Sequence, residues 1–260
     1  MINKRLAKLI RSLEQKKYRR QEGLFVAEGP KVVGDLMRIS TPRCIIATPD
    51  WMAGSEQRAE GTPATTTEVV QVSEDELRRV SFLQHPQKVM ALFPLPDSSR
   101  SLTAADMRDK LCSALDGVQD PGNMGTIIRI ADWFGIDTLL CSHDTADAYN
   151  PKVVQATMGS IARVNIIYTD LCALFDKLPD AHPVYGTLLD GNNIYEQPLT
   201  DHGIIVMGNE GKGISPAIRE RVTRRLLIPH FGKEDGAESL NVAIATAITC
   251  SEFRRRQATS

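Results

Sequence analysis

The feature that most constrains the fold is a regular alternation of apolar runs and helical patterns in the second half of the chain. Apolar runs typical of strands lie at 111–118, 137–142, 162–169, 184–189, 203–209 and 224–230. Segments typical of helices lie at 125–135, 151–161, 215–222 and 239–256. Strands that are apolar along their whole length are buried on both faces, which happens when helices cover both sides of a parallel sheet. The second half is therefore predicted to be an α/β domain built on a parallel sheet.

The first half predicts a second, smaller α/β domain. Apolar runs at 44–48, 69–72 and 89–93 are typical of strands, and Ser73 with Glu76 three residues later is the capping-box signature of a helix start. A segment with two prolines, three serines and no periodic pattern then indicates an exposed linker. The length of 260 residues also favours two domains. We expect an N-terminal domain at 1–95, a linker at 96–110 and a C-terminal domain at 111–260.

Composition narrows the class of protein further. Hydrophobic residues make up 42% and charged residues 24%, which excludes a mainly disordered or fibrous protein. No run of 18 apolar residues is present, so no transmembrane helix is predicted. The five cysteines are scattered and include no C-x-x-C pair, which argues against a zinc site and against a disulfide framework. The first residues are charged throughout and lack the apolar stretch of a secretory signal, so a cytoplasmic location is expected.

The net charge of −1 conceals an uneven distribution. The first twenty residues hold eight basic side chains against a single acidic one, a net of +7. The basic residues are Lys4, Arg5, Lys8, Arg11, Lys16, Lys17, Arg19 and Arg20. Apolar residues recur among them at helical spacing, which predicts a basic amphipathic helix. Its basic face is either simply solvated or a contact surface for nucleic-acid phosphates, and both interpretations stay open at this point.

Unusual polar residues follow the strands, at the sheet edge where ligands of α/β domains bind. After the strand at 111–118, Asn123, Gly125 and Arg129 form N-x-G-x-x-x-R. Asn123 is expected to cap the helix that follows, and Arg129 to project from the first turns of that helix. Taken alone, this segment is explained by a capped helix with a surface arginine.

Two further segments carry polar residues of the same kind. A glycine-rich turn at 208–213 follows the strand at 203–209; it lets a ligand approach the backbone and exposes amide donors. Its spacing is neither that of a P-loop nor G-x-G-x-x-G. In the third segment, Ser239 is explained as a helix cap, whereas Asn241 beside an apolar stripe needs a polar partner and therefore favours a site.

Together, in order and spacing, the three segments resemble the motifs of the SpoU/TrmH family of RNA ribose 2′-O-methyltransferases, within the SPOUT superfamily. The family's N-x-G-x-x-x-R is matched at 123–129, its G-N-E-G-x-G-x-S at 208–215, and its I-P…E-S-L-N-V at 228–242. The resemblance covers 111–257 and extends more loosely to 24–37 and 85–93, which are similar to a substrate-binding domain of the family. The loop at 230–237 is longer than usual in the family, which puts its effect on cofactor binding in question.

The resemblance implies properties that the residues alone do not. It implies a deep C-terminal trefoil knot, S-adenosylmethionine (SAM) as the cofactor, no metal, and a homodimer whose active site draws on both subunits. It implies structured RNA as the substrate, with ribosomal RNA favoured over transfer RNA. The residues that match the family's cofactor contacts are Thr187, Gly208, Asn209, Gly211, Ile228 and Leu240. The implied catalytic residues are Arg129, Asn123, Glu210, Ser239 and Asn241.

The implied reaction is displacement at the sulfonium methyl group by a ribose 2′-hydroxyl, a poor nucleophile unless a base or a positive field assists it. Guanidinium is not deprotonated in proteins, so Arg129 is expected to bind the neighbouring phosphate and to lower the pKa of the hydroxyl electrostatically. Asn123, Ser239 and Asn241 are expected to orient the ribose and Arg129. Glu210 is expected to hold Arg129 or a partner loop, and the basic residues of 1–20 to contact RNA phosphates.

Two other functional classes predict different sequences. A nucleotide-dependent oxidoreductase predicts a G-x-G-x-x-G turn and an acidic residue about 20 positions later, and neither is present. A non-catalytic RNA-binding protein would use the same fold as a scaffold. It would have no use for the five polar residues of the implied catalytic set, which disfavours that alternative.

Overall fold

The computed structural model describes residues 2–56, 67–97, 103–232 and 238–258. The helices are α1 (Lys4–Ser12), α2 (Lys16–Glu22), α3 (Pro30–Met37), α4 (Pro49–Glu56), α5 (Glu74–Val80), α6 (Ala104–Met107), α7 (Pro121–Trp133), α8 (Pro151–Ala156), α9 (Leu171–Phe175), α10 (Pro216–Arg219) and α11 (Val242–Ala258). The strands are β1 (Leu24–Glu28), β2 (Cys44–Ala47), β3 (Glu68–Gln71), β4 (Val89–Pro94), β5 (Leu111–Asp116), β6 (Thr138–Cys141), β7 (Asn165–Tyr168), β8 (Val184–Asn193), β9 (Gly203–Gly208) and β10 (Arg224–Leu227).

The chain forms two compact units. The N-terminal unit comprises Met1–Asp97 together with Asp147–Ala162, and the C-terminal unit comprises Ser98–Ala146 together with Arg163–Ser260. The segment Asp147–Ala162, which the sequence interpretation placed in the C-terminal domain, therefore packs with the N-terminal unit. The predicted linker at 96–110 contains α6, and its residues 98–102 lie outside the described ranges.

The C-terminal unit confirms the predicted parallel sheet. Its strands lie in the order β10-β8-β9-β5-β6-β7, and every neighbouring pair is parallel. The central strands β5 and β9 are buried along their whole length, as continuous apolar strands require. The threading of the C-terminal segment into a knot stays a prediction.

The N-terminal unit is a mixed four-stranded sheet in the order β1-β4-β2-β3. Strand β4 is antiparallel to both β1 and β2, while β2 and β3 are parallel. The predicted capping box is confirmed, because the Ser73 hydroxyl accepts from the Glu76 amide and the Glu76 carboxylate accepts from the Ser73 amide. These two bonds satisfy free backbone amides at the start of α5.

The basic N-terminal segment forms two helices rather than the single one predicted. Its apolar side still packs inward, because Ile10 and Leu13 are fully buried in the core of the N-terminal unit. The chain leaves the helical path between α1 and α2, where Nη1 of Arg19 donates to the carbonyls of Leu13 at 2.7 Å and Glu14 at 2.6 Å. These bonds to unpaired carbonyls at the end of α1 stabilise the break, which hydrophobic periodicity does not reveal.

The segment 147–162 completes the N-terminal unit. Nη2 of Arg19 lies 2.6 Å from the Asp147 carboxylate, and the rings of Phe25 and Tyr149 are 4.9 Å apart. Helix α8 begins where the helical pattern at 151–161 begins, and the Asn150 side chain caps it by accepting from the amide of Lys152 at 2.9 Å. The segment therefore packs against β1 of the N-terminal unit.

The state of the cysteines agrees with their scattered positions in the sequence. All five cysteines are free thiols, and four are buried. Burial raises the pKa of Cys44, Cys112 and Cys250 to about 12, so these thiols stay protonated and act as small apolar side chains. No helix in the described part of the chain is long and apolar enough to span a membrane.

Candidate active site

The segments that carry Asn123, Arg129 and Glu210 start at the carboxyl edge of the C-terminal sheet. Strand β5 ends at Asp116 and leads into α7, which carries Asn123 and Arg129. Strand β9 ends at Gly208 and leads into the turn that carries Glu210. Because the strands are parallel, these ends share one edge, the place where α/β sheets bind ligands.

Helix α7 is capped by Asp120, which corrects the prediction that Asn123 is the cap. The Asp120 carboxylate accepts from the Asn123 amide at 2.8 Å, and Pro121 occupies the first turn. An aspartate directly before a proline is the stronger start signal, and it precedes Asn123 by three residues. The Asn123 side chain is therefore available for contacts outside the helix.

Glu210 ties the glycine-rich turn to the start of α7. Its Oε1 accepts from the Asp120 amide at 3.1 Å and from Asn123 Nδ2 at 3.0 Å, and its Oε2 accepts from the Gln119 amide at 3.2 Å. Burial raises the pKa of Glu210, but the hydrogen bonds from Asn123 and the backbone amides outweigh it and hold the pKa below its usual value. Glu210 is thus a carboxylate at neutral pH, and it holds the loop before α7 rather than Arg129.

Asn123 and Asn241 join the first and third segments. Asn241 Nδ2 donates to Asn123 Oδ1 at 2.9 Å, while Asn241 Oδ1 accepts from the amides of Ala243 at 2.9 Å and Ile244 at 3.3 Å. Asn241, not Ser239, is therefore the residue that caps α11. An amide that donates to a carboxylate must turn its oxygen away, so Glu210 determines the orientation of Asn123, and Asn123 that of Asn241.

Arg129, on the helix that carries Asn123, and Ser239, two residues before Asn241, are both exposed. Within the described residues, the Arg129 guanidinium forms no ion pair and no hydrogen bond, and the Ser239 hydroxyl likewise has no partner. The structure brings Asn123, Glu210 and Asn241 together in direct contact. It leaves the two remaining catalytic candidates free to meet a ligand.

The turn at 208–213 is closed by Asn209. Its backbone pairs with that of Gly213 in both directions at 2.9 Å, its Nδ2 donates to the Gly117 carbonyl at 2.6 Å, and its Oδ1 accepts from the amides of Gly211 and Lys212 at 3.0 Å each. This corrects the expectation that the turn exposes its amide donors, because those of Gly211 and Lys212 are used inside it. The side chain of Asn209 is therefore used to shape the turn.

The other residues matched to cofactor contacts lie around the same edge. A Cβ on Gly208 would lie 2.2 Å from the carbonyl carbon of Gly213, so only glycine fits there. Thr187, within β8, donates from its Oγ1 to the Val206 carbonyl at 3.1 Å, which links β8 to β9. Ile228 follows β10 and is partly buried, and Leu240 is 49% exposed.

Comparison with known proteins settles the family. The family model of the SpoU rRNA methylases matches residues 110–251, and that of the MRM3-like substrate-binding domain matches residues 4–91. The chain belongs to the SpoU rRNA methylase family. The 23S rRNA (guanosine(2553)-2′-O)-methyltransferase RlmP of Bacillus subtilis is 31% identical over 94% of this chain and 94% of its own.

Solved structures agree with this assignment. A TrmH-family protein from Porphyromonas gingivalis is 43% identical, with a TM-score of 0.85 over 98% of this chain and 99% of that one. An AdoMet-bound rRNA methyltransferase from Sinorhizobium meliloti is 30% identical, with a TM-score of 0.84 over 98% and 96% of the two chains. This SpoU family member is an RNA ribose 2′-O-methyltransferase, and its cofactor is SAM.

The residues at the sheet edge fit SAM. Ile228 and Leu240 offer apolar surface for an aromatic base, and Gly211 has open space where a side chain would stand, with only Asn209 Oδ1 within 4 Å of a Cβ built there. Among the described residues, no group of three or more potential metal ligands is present. The loop at 230–237, which the sequence comparison found to be longer than usual, has residues 233–237 outside the described ranges.

Two acidic residues that matter at this edge were not singled out from the sequence. Asp120 caps α7, and Asp116, which is buried, accepts from the Ser215 amide at 2.6 Å and so fixes the start of α10. The signal for Asp120 was the proline that follows it. The signal for Asp116 was a carboxylate at the end of an otherwise apolar strand.

The basic residues of α1 and α2 divide into two groups. Most are solvent-exposed: Lys4, Arg5, Lys8, Arg11, Lys17 and Arg20, while Lys16 is partly buried. The prediction that Arg19 is a phosphate contact needs correction, because its side chain is 2% exposed and is paired with Asp147. Arg19 is a structural residue of the N-terminal unit.

Proposed function

We propose that this protein methylates a ribose 2′-hydroxyl of large-subunit ribosomal RNA, and that it does so as a homodimer. The observation that carries the proposal is the chain of hydrogen bonds from Glu210 through Asn123 to Asn241, with Arg129 exposed on the same helix as Asn123. These bonds join three segments that are far apart in sequence into one site. The substrate class follows the similarity to RlmP, which extends over nearly the full length of both chains.

Arg129 is proposed to act on the nucleophile. Its guanidinium is a permanent cation with planar donors, suited to a bidentate contact with the phosphate beside the target ribose. A fixed positive charge next to the 2′-hydroxyl favours the alkoxide that develops as the proton leaves. Ser239, exposed near the start of α11, is proposed to donate to the ribose.

The Glu210–Asn123–Asn241 chain is proposed to hold the site in one arrangement. A carboxylate that accepts three hydrogen bonds is a fixed anchor and a poor proton acceptor, so Glu210 positions α7 instead of serving as the base. Each amide in the chain has its orientation determined by its neighbour. Arg129, two turns into α7, therefore starts from a defined position.

The cofactor is proposed to be held by Thr187, Gly208, Gly211, Ile228 and Leu240, with Asn209 shaping the turn. SAM, when bound, supplies a methyl group on a sulfonium centre that is already electrophilic. The protein then needs to orient the nucleophile and exclude water, and no metal enters this scheme.

A second copy of this chain is proposed to cover part of the C-terminal unit. Large apolar side chains are exposed there, with Trp133 on α7 at 84% and Ile244 on α11 at 52%. These side chains are the apolar surface that the second copy is proposed to cover. We expect the wild type to sediment as a dimer and Trp133→Glu as a monomer, with Ile39→Glu, which alters an exposed apolar residue of the N-terminal unit, as the matched control. A monomeric wild type would contradict the dimer.

The N-terminal unit is proposed to bind the RNA. The exposed cations of α1 and α2 would contact phosphates, which position an RNA without reading its sequence. We place the enzyme in the cytoplasm, a compartment that keeps thiols reduced, in agreement with its five free cysteines.

The experiment for this function is transcriptome-wide mapping of ribose methylation in cells with and without the gene. We expect one 2′-O-methyl nucleotide of large-subunit ribosomal RNA to disappear with the gene and to return on complementation. Loss of a transfer RNA methylation instead would contradict the substrate, and no change in any RNA would contradict the proposed function.

A further inference from the structure

The N-terminal unit contains a buried carboxylate that the methyl-transfer chemistry does not use. Glu28, at the end of β1, is 5% exposed. Its two oxygens accept from the Ser81 hydroxyl and, at 2.8 Å, from the Phe82 amide. Burial raises the pKa of Glu28, which shows that the site disfavours the charged form and that hydrogen bonds must compensate. A protein retains so costly a group where it fixes the position of something else.

What Glu28 fixes is the loop 81–88, between α5 and β4. The Ser81 hydroxyl also accepts from the Leu83 amide at 3.0 Å, so the first residues of the loop are bonded together. At the other end, the Lys88 carbonyl accepts from the Thr48 amide at 2.9 Å. Gln87 lies over Gly29, where an added Cβ would come within 2.7 Å of Gln87 Oε1. The loop is thus held at both ends.

The tip of this loop carries polar side chains that are not used in hydrogen bonds within the described part of the protein. Gln84 and His85 are exposed, and within the described residues neither side chain forms a hydrogen bond. An amide and an imidazole can each donate and accept, which suits the Watson–Crick edge of an unpaired base. Neither carries the fixed charge that favours a phosphate.

The loop also borders the basic helices. Nη2 of Arg11, on α1, donates to the Arg79 carbonyl at 3.0 Å, two residues before the loop begins. Exposed cations of α1 and the segment that leads into the loop therefore lie next to each other on the same unit. Phosphate contacts give affinity and register, while neutral donors and acceptors give sequence preference.

We propose that the loop 81–88 is the base-reading element of this enzyme: Gln84 and His85 contact unpaired RNA bases, and buried Glu28 is the positioning residue that holds them. The proposal rests on the proposed function, because it assigns the sequence preference of the same RNA-binding unit. The ligand is a single-stranded region of a folded RNA, bound through its base edges.

The test measures binding of the full-length protein to in vitro transcribed large-subunit ribosomal RNA and to a random-sequence RNA of equal length, across a salt series. We expect Gln84→Ala/His85→Ala to reduce the preference for ribosomal RNA about 10-fold or more, with the salt slope unchanged. Lys4→Ala/Lys8→Ala should weaken the binding of both RNAs to the same extent. It should also lower the slope of the salt dependence by roughly one per charge removed.

Glu28→Gln tests the positioning role. Like Gln84→Ala/His85→Ala, it should reduce the preference for ribosomal RNA over random-sequence RNA. SAM affinity and the rate at saturating RNA should stay unchanged. A Glu28→Gln protein that is merely less stable, with preference intact, overturns the role of Glu28. A Gln84→Ala/His85→Ala protein with wild-type preference overturns the base-reading loop. A wild type without preference for ribosomal RNA shows that the proposed substrate itself is wrong, and the loop proposal fails with it.

Discussion

Replacing Arg129 by alanine is expected to lower the rate of methyl transfer about 100- to 1,000-fold, the range seen when one charge-stabilising donor is removed from an active site. Arg129 is exposed and forms no hydrogen bond or ion pair with other described residues, so the substitution is expected to leave the fold and the thermal midpoint unchanged. SAM affinity, measured by calorimetry, should also stay at the wild-type value. The loss should appear in single-turnover assays with saturating RNA and SAM.

Two further variants serve as a control for this prediction and as a test of its physical basis. Arg108→Ala removes an exposed arginine that precedes β5 and so lies at the opposite edge of the sheet, and it should keep full activity. Arg129→Lys keeps the charge but loses the planar pair of donors, so an intermediate rate is expected if bidentate phosphate contact matters. Full activity of Arg129→Ala would contradict the role proposed for this residue, while leaving the family assignment intact.

Replacing Glu210 by alanine is expected to lower the rate about 10- to 100-fold, because it frees the side chain of Asn123 and the loop before α7 together. The carboxylate accepts from Asn123 Nδ2 and from the amides of Gln119 and Asp120, and alanine replaces none of these bonds. Groups that act as one network are not additive, so adding Asn123→Ala to Glu210→Ala should cost little more. The double-mutant cycle, measured in single-turnover rates, checks this directly.

The pH dependence of the contacts made by Glu210 follows from the direction in which its pKa is shifted. The pKa of Glu210 is lower in the folded protein, so its stabilising contribution is present above its ordinary value and is lost as the pH falls through the folded value. The network should therefore be intact throughout the neutral range. Glu220→Ala, which removes an exposed carboxylate at the end of α10, is the matched control and should leave the single-turnover rate unchanged. Strict additivity between Glu210→Ala and Asn123→Ala would contradict a coupled network.

The parallel sheet and the edge that bears the site were predictable because both depend on local patterns. Continuous apolar strands require cover on both faces, and Ser73 and Asn150 are starts that local residue chemistry decides. The contacts within the site were not predictable in the same way. Asn123 was expected to cap a helix because nothing local shows that Glu210, 87 positions away, accepts from its side chain.

Arg19 shows the same limit in the N-terminal unit. By local composition it is one basic residue among eight, and nothing nearby in sequence distinguishes it from Arg20. Its partner Asp147 is 128 residues away, so burial of the pair depends on tertiary packing alone. Charge patterns thus predict which surfaces are basic, but not which cation is used inside the protein.

The assignment of 147–162 to the N-terminal unit has a consequence for how this protein is made. The chain enters that unit, leaves it after Asp97, returns at Asp147 and leaves again after Ala162. During translation, the N-terminal unit stays incomplete until residue 162 has emerged from the ribosome, because Phe25 and Arg19 await Tyr149 and Asp147. A fragment cut at Asp97 would lack the segment that packs against β1, and with it the partners of Arg19 and Phe25.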